Sequence, residues 1–74
     1  MASEIRMVFD DKPISWYMGR GEGRPDALKR TLERAAEWMQ DAETLETDQP
    51  VDSGTMMLEH YERYWFSFRI NVPD

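Results

Sequence analysis

Apolar and polar residues alternate from Glu4 to Phe9, with Ile5, Met7 and Phe9 on one side and Glu4, Arg6 and Val8 on the other. That period-2 pattern predicts a half-buried strand. Asp10, Asp11, Lys12 and Pro13 read as a turn. Ile14, Trp16 and Met18 then alternate with Ser15 and Tyr17, which predicts a second strand in hairpin order. Three glycines between Gly19 and Gly23 end it, since glycine holds extended pairing only at an entropic cost.

Pro25 suits the first turn of a helix, and Asp26 beside it favours the positive end of the helix dipole. Leu28, Leu32, Ala35, Met39 and Ala42 recur at spacings of three and four, the apolar stripe of an amphipathic helix. Asp26 with Arg30 and Arg34 with Glu37 stand at ion-pair spacings on its polar side. Trp38, at the flank of the stripe, is expected to cover an edge of the sheet. Thr44 to Gly54 is rich in turn-forming residues and predicts a loop of about ten residues. Beyond it Tyr64, Phe66, Phe68, Ile70 and Val72 alternate with Arg63, Trp65, Ser67, Arg69 and Asn71 until Pro73, a strong strand signal. Residues 55–61 fit either a strand or a short capped helix. A single strand from 55 to 72 would run about 60 Å, longer than so small a domain, so a turn or bulge is expected between Glu59 and Arg63. The order strand, strand, helix, strand, strand implies one α+β domain over residues 1–74, a small antiparallel β-sheet with one α-helix packed on one face.

Composition narrows the chemistry. The chain has 74 residues, 15 acids, 9 bases, one histidine and no cysteine. Thiolate catalysis, thiolate metal sites and disulfides are thereby excluded, and the missing cysteines fit a reducing, cytoplasmic setting. The 12% aromatic content favours a folded domain whose large side chains compensate for its size. Neither a signal-length apolar run at the N-terminus nor a membrane-length apolar stretch is present, so a soluble, unexported protein without membrane contact is expected.

The charge is segregated along the chain. Residues 1–34 hold six acids and seven bases, whereas residues 35–62 hold eight acids and no lysine or arginine; Arg63, Arg69 and Asp74 follow. A solvated helix end and loop would account for part of this. A run of 28 residues without a counter-charge also fits an acidic face that meets a basic partner and steers its encounter.

Motifs for chemistry do not close. Arg24 stands where a dinucleotide-binding glycine would be needed, and no phosphate-loop lysine pair follows. Asp48–Glu59 has the length of a calcium loop, but Pro50 and Gly54 stand in the wrong places. His60 with Glu59 and Glu62 lacks metal-ligand spacing, because neighbours on a strand face opposite ways. No serine lies in a nucleophile elbow, and a domain of this size rarely encloses a substrate cavity. No enzyme activity, catalytic residue, metal or cofactor is expected. The odd positions of the last strand place Trp65 between Arg63 and Arg69 with Tyr61 near, on whatever face the single helix leaves open. Such a face suits a homodimer contact or stacked single-stranded bases, although the global charge opposes direct nucleic-acid binding.

In size, acidity, lack of cysteine and single-helix-on-sheet build, the chain resembles small phage and mobile-element inhibitors of bacterial defence complexes, anti-CRISPR proteins above all. The resemblance implies a non-enzymatic protein in the host cytoplasm that blocks a basic protein or ribonucleoprotein by mimicking nucleic acid. From the charge map, the expected partner-binding residues are Glu37, Asp41, Glu43, Glu46, Asp48 and Asp52. The alternative face is Tyr61, Arg63, Trp65 and Arg69, used by a nucleic-acid binder or a self-assembling subunit.

Overall fold

A computed structural model describes residues 2–73. Met1 and Asp74, the latter counted in the charge of the tail, lie outside the described residues. The order is β1 (Ala2–Phe9), α1 (Ile14–Gly19), α2 (Arg24–Trp38), β2 (Thr44–Leu45), β3 (Asp52–Leu58) and β4 (Tyr61–Val72). The α+β class and the antiparallel sheet with its helices on one face are as expected from the sequence. The second element is not a strand, however, and two helices pack on the sheet.

Every strand pairs with β4. β1 runs antiparallel along its residues 65–72, while β2 and β3 share the opposite edge at 70–71 and 61–67. The twelve residues of β4 span about 40 Å at the usual strand rise, which accounts for the 42 Å long axis of the molecule. The radius of gyration, 13.1 Å, exceeds the roughly 11 Å of a compact chain of this length, because the β3–β4 hairpin projects beyond the helices.

The break expected between Glu59 and Arg63 is a two-residue turn, with Leu58 opposite Tyr61. Glu59 and His60 both take positive φ, 53° and 73°, the backbone of a type I′ turn that matches the twist of the paired strands. Residues 55–61 are therefore strand and turn rather than helix. The predicted loop from Thr44 to Gly54 is shorter than expected, since β2 and the start of β3 take up both its ends.

The even residues of β4 build the core. Phe66, Phe68 and Ile70 are buried, with Val8, Tyr17 and Ala27 packed on them and Tyr64, Leu28, Leu32 and Leu45 partly buried around them. Each fully buried aromatic or aliphatic side chain contributes about 1.5–3 kcal/mol. Aromatic rings continue from α1 along this face: Trp16 meets Tyr17 edge-on at 5.0 Å, Tyr17 meets Tyr64 at 5.9 Å, and Tyr64, Phe66 and Phe68 follow at about 6.4 Å. In β1 it is Val8, opposite Phe66, that faces this core. Ile5 and Met7, on the other side of β1, are exposed.

Residues 14–18 are helical because their apolar positions also fit i, i+3 spacing, and short apolar runs do not separate the two periods. As a helix the segment drives Tyr17 into the core and leaves Met18 in solvent. Gly21 takes φ 71° in the turn to α2, which only glycine adopts without strain. Asp26 accepts a hydrogen bond from the Gly23 N–H at 2.9 Å, closing the start of α2 rather than pairing with Arg30. The most buried line of α2 is Ala27, Thr31 and Ala35, where small side chains admit the aromatic face, and the Thr31 hydroxyl is satisfied by the Ala27 carbonyl at 2.8 Å. The helix stops at Trp38, so Met39 and Ala42 do not extend its stripe, and Trp38 itself is exposed.

Candidate interaction surfaces

The acidic segment is shaped by which of its carboxylates find cations. Glu43 is held by Arg6 from β1, at 3.2 and 3.0 Å to its two oxygens, and accepts the Gln40 N–H at 2.9 Å. Arg6 and that N–H hold the Glu43 carboxyl below the usual carboxylate range. Arg6 also donates to Glu4, and the hydrogen bonds it gives to both carboxylates raise its own pKa. Glu46 lies 3.5 Å from the Arg69 Nε. Glu43 and Glu46 thus tie the loop after α2 to the sheet, and of the six acids predicted to meet a partner they are the two already engaged. Glu37, Asp41, Asp48 and Asp52 are exposed and make no ion pair among the described residues.

The alternative face is brought together as the strand period requires. Tyr61, Arg63, Trp65 and Arg69 all lie on the side of β4 away from the helices, joined by Ile5, Met7 and Phe9 of β1 and by Met56 and Leu58 of β3. Its cations are already occupied. The Arg63 Nη1 donates to the backbone carbonyls of Asp10 and Asp11 at 3.3 and 3.0 Å, with Glu59 at 3.8 Å from Nη2. Arg69 is held by Glu46. The face is therefore an apolar surface with fixed arginines, not a basic groove.

Two features were hidden in the sequence. Asp10, predicted as a turn residue, is wholly buried and accepts hydrogen bonds from the Tyr17 hydroxyl, from the Lys12 N–H at 3.1 Å and from Arg30 at 3.4 Å. Burial pushes its carboxyl above the ordinary range, more than the bonds from Tyr17 and Lys12 pull it down. For its neighbour Asp11, burial also acts upward but is outweighed by the hydrogen bonds from Arg30 and Asp10 and the attraction of Arg34, so Asp11 lies below that range. Burial and the bond to Asp10 push the Tyr17 hydroxyl up to about 12. Only the tertiary fold reveals this network, because Asp10, Tyr17 and Arg30 are 7 to 20 residues apart and no local spacing links them.

The second feature is Trp16. Arg20, Arg30 and Lys12 stand 4.6, 5.2 and 5.3 Å from its ring, within cation–π range. A shallow cavity of about 300 Å³ beside it is lined by Trp16, Arg20, Glu22, Asp26, Lys29, Arg30 and Glu33, with equal numbers of acids and bases. Residues 1–34, with six acids and seven bases, are near charge balance, unlike residues 35–62.

The Asp48–Glu59 segment includes strand β3, which removes it as a calcium loop. Among the described residues no group of three or more histidine, aspartate or glutamate side chains is arranged to hold a metal ion, and no helix is long and apolar enough to cross a membrane. Compared with known proteins, the chain matches no family model, no curated protein and no solved structure.

Proposed function

We propose that this protein is a non-enzymatic binding protein that inhibits a nucleic-acid-handling complex of a bacterial host, in the manner of anti-CRISPR proteins, by offering carboxylates where that complex receives phosphates. The observation that supports the reading is the set Glu37, Asp41, Asp48 and Asp52, exposed and without ion pairs among the described residues, in a 28-residue segment that contains no lysine or arginine. Glu43 and Glu46 act as anchors in this reading: their bonds to Arg6 and Arg69 hold the segment against the sheet, so Asp41 and Asp48 are displayed on a fixed loop between Glu37 of α2 and Asp52 of β3, and less ordering entropy is lost on binding. Carboxylates held in this way attract a basic channel at long range and accelerate its encounter.

Direct binding of single-stranded nucleic acid at Tyr61, Arg63, Trp65 and Arg69 is the weaker reading, because both arginines are committed within the chain and a phosphate backbone would have to displace their partners. The experiment is affinity capture from bacterial lysate with nuclease-treated and high-salt arms. A basic complex that survives nuclease and is released by salt supports the inhibitor; recovery of nucleic acid alone, or of no basic complex, contradicts it.

A further inference from the structure

We infer that the sheet face away from the helices is the contact between two copies of this chain, packed sheet on sheet about a two-fold axis. The inference concerns a different face from the acidic segment, sharing with it only Asp52 at the start of β3, and adds a second surface to the proposed function. The apolar side of β1 points away from the core: Ile5 is 57% exposed and Met7 50%, and on the same face Met56 of β3 is 46% and Tyr61 of β4 56% exposed. Water-exposed apolar side chains grouped on one face, around the half-buried Trp65 and Phe9, mark an interface rather than scattered surface residues.

Size, charge and shape each point to a second copy. The twelve residues of β4 and a width of three strands give the face about 40 by 14 Å, on the order of 600 Å², the lower end of what each partner contributes to a standard interface. Its charged groups, Arg63, Arg69 and Asp52, leave it with little net charge, and both arginines are bound within their own chain, Arg63 to backbone carbonyls and Glu59, Arg69 to Glu46. Such a face selects neither a polyanion nor a polycation, whereas it can meet itself without uncompensated charge.

Across the strands, Phe9, Trp65 and Gly54 form one row and Met7, Ser67 and Asp52 the next. The bulky indole makes the first row a ridge, and the buried Ser67 leaves the second row low. A two-fold axis lying across the strands between these rows sets Trp65 of each copy over Ser67 of the other, the self-complementary arrangement that an isologous contact requires. It also closes the sheets into a sandwich with the usual spacing of about 10 Å, with the helices on the two outer surfaces.

Sedimentation equilibrium of the full chain tests this. The wild-type protein is expected at twice the monomer mass of 8.8 kDa at concentrations up to about 100 µM, and the dimer is expected to persist in roughly 1 M salt because its contact is apolar. Met7→Glu and, separately, Met56→Glu, both at exposed positions, are expected to halve the mass while the far-ultraviolet circular dichroism is unchanged; Glu33→Ala on α2 is expected to remain dimeric. A wild-type monomer throughout this range overturns the proposal, as does a dimer that both glutamate variants leave intact. Tryptophan quenching by an oligonucleotide or by lipid vesicles in a monomeric wild type would assign the face to that ligand instead. Substitution of Glu37, Asp41 and Asp48, none of which lies in a strand of the sheet, leaves these outcomes untouched, so the two readings fail separately.

Discussion

The indole of Trp65 lies over the backbone of Gly54, its partner across the β3–β4 pair, so closely that a methyl group at position 54 would stand 2.8 Å from Cζ2 and 2.9 Å from Nε1. The glycine weakens β3 locally but gives the ring its seat on the open face. Gly54→Ala is therefore expected to displace the indole and to destabilise the protein by about 1–3 kcal/mol, the usual cost of overpacking. A shifted tryptophan emission spectrum together with a lower midpoint in chemical denaturation checks it; an unchanged spectrum would mean that the ring does not rest there.

Tyr17 and Asp10 make the core dependent on pH. Folding keeps the Tyr17 hydroxyl protonated up to about 12, above its value near 10 in an unfolded chain. The contribution is complete below pH 10 and is lost as pH rises through the folded value, an alkaline loss of roughly 3 kcal/mol. Tyr17→Phe is expected to flatten that limb and, by leaving Asp10 without one of its donors, to cost about 1–3 kcal/mol at neutral pH. Denaturant titrations from pH 7 to pH 12 measure both effects.

At acid pH the Arg6–Glu43 pair acts in the opposite direction. Glu43 has a folded pKa below its unfolded one, so its contribution is present above the unfolded value and lost as pH falls through the folded value. Glu43→Gln is expected to remove that part of the acid dependence and to loosen the segment between α2 and β2. Hydrogen exchange at the Gln40 amide, which Glu43 accepts at 2.9 Å, is expected to accelerate in the variant.

Among the described residues three carry positive φ without being glycine: Ala42 at 69°, Glu59 at 53° and His60 at 73°. Residues with a β-carbon incur on the order of 1 kcal/mol each there. Ala42→Gly, and the exchange of Glu59-His60 for Asn-Gly, are each expected to stabilise the fold by up to about 1 kcal/mol. Higher thermal midpoints would confirm the turn conformations, and a lower midpoint for the Asn-Gly variant would contradict the hairpin register.

These turns show where sequence reading succeeds and where it stops. The long alternation from Tyr64 to Val72 and the stripe from Leu28 to Ala35 were legible because each repeats its period often enough to exclude the other. Ile14 to Met18 is too short for that, and its helical state rests on a tertiary event, the meeting of Tyr17 with the buried Asp10. For β1 the period was legible but not the buried side, because of its inner positions Ala2, Glu4, Arg6 and Val8 only Val8 is buried, while the apolar set Ile5, Met7 and Phe9 lies on the open face. The acidic segment was legible as charge; the division between Glu43 and Glu46, held by Arg6 and Arg69, and the exposed Glu37, Asp41, Asp48 and Asp52 required the fold.

The most direct measurement is the affinity of the captured bacterial complex for wild-type protein and for the triple variant Glu37→Lys, Asp41→Lys, Asp48→Lys, by titration calorimetry after nuclease treatment. Binding is expected to weaken at least about 100-fold, with circular dichroism unchanged, as reversal of fully used charges would produce. Equal affinity of the two proteins would contradict it.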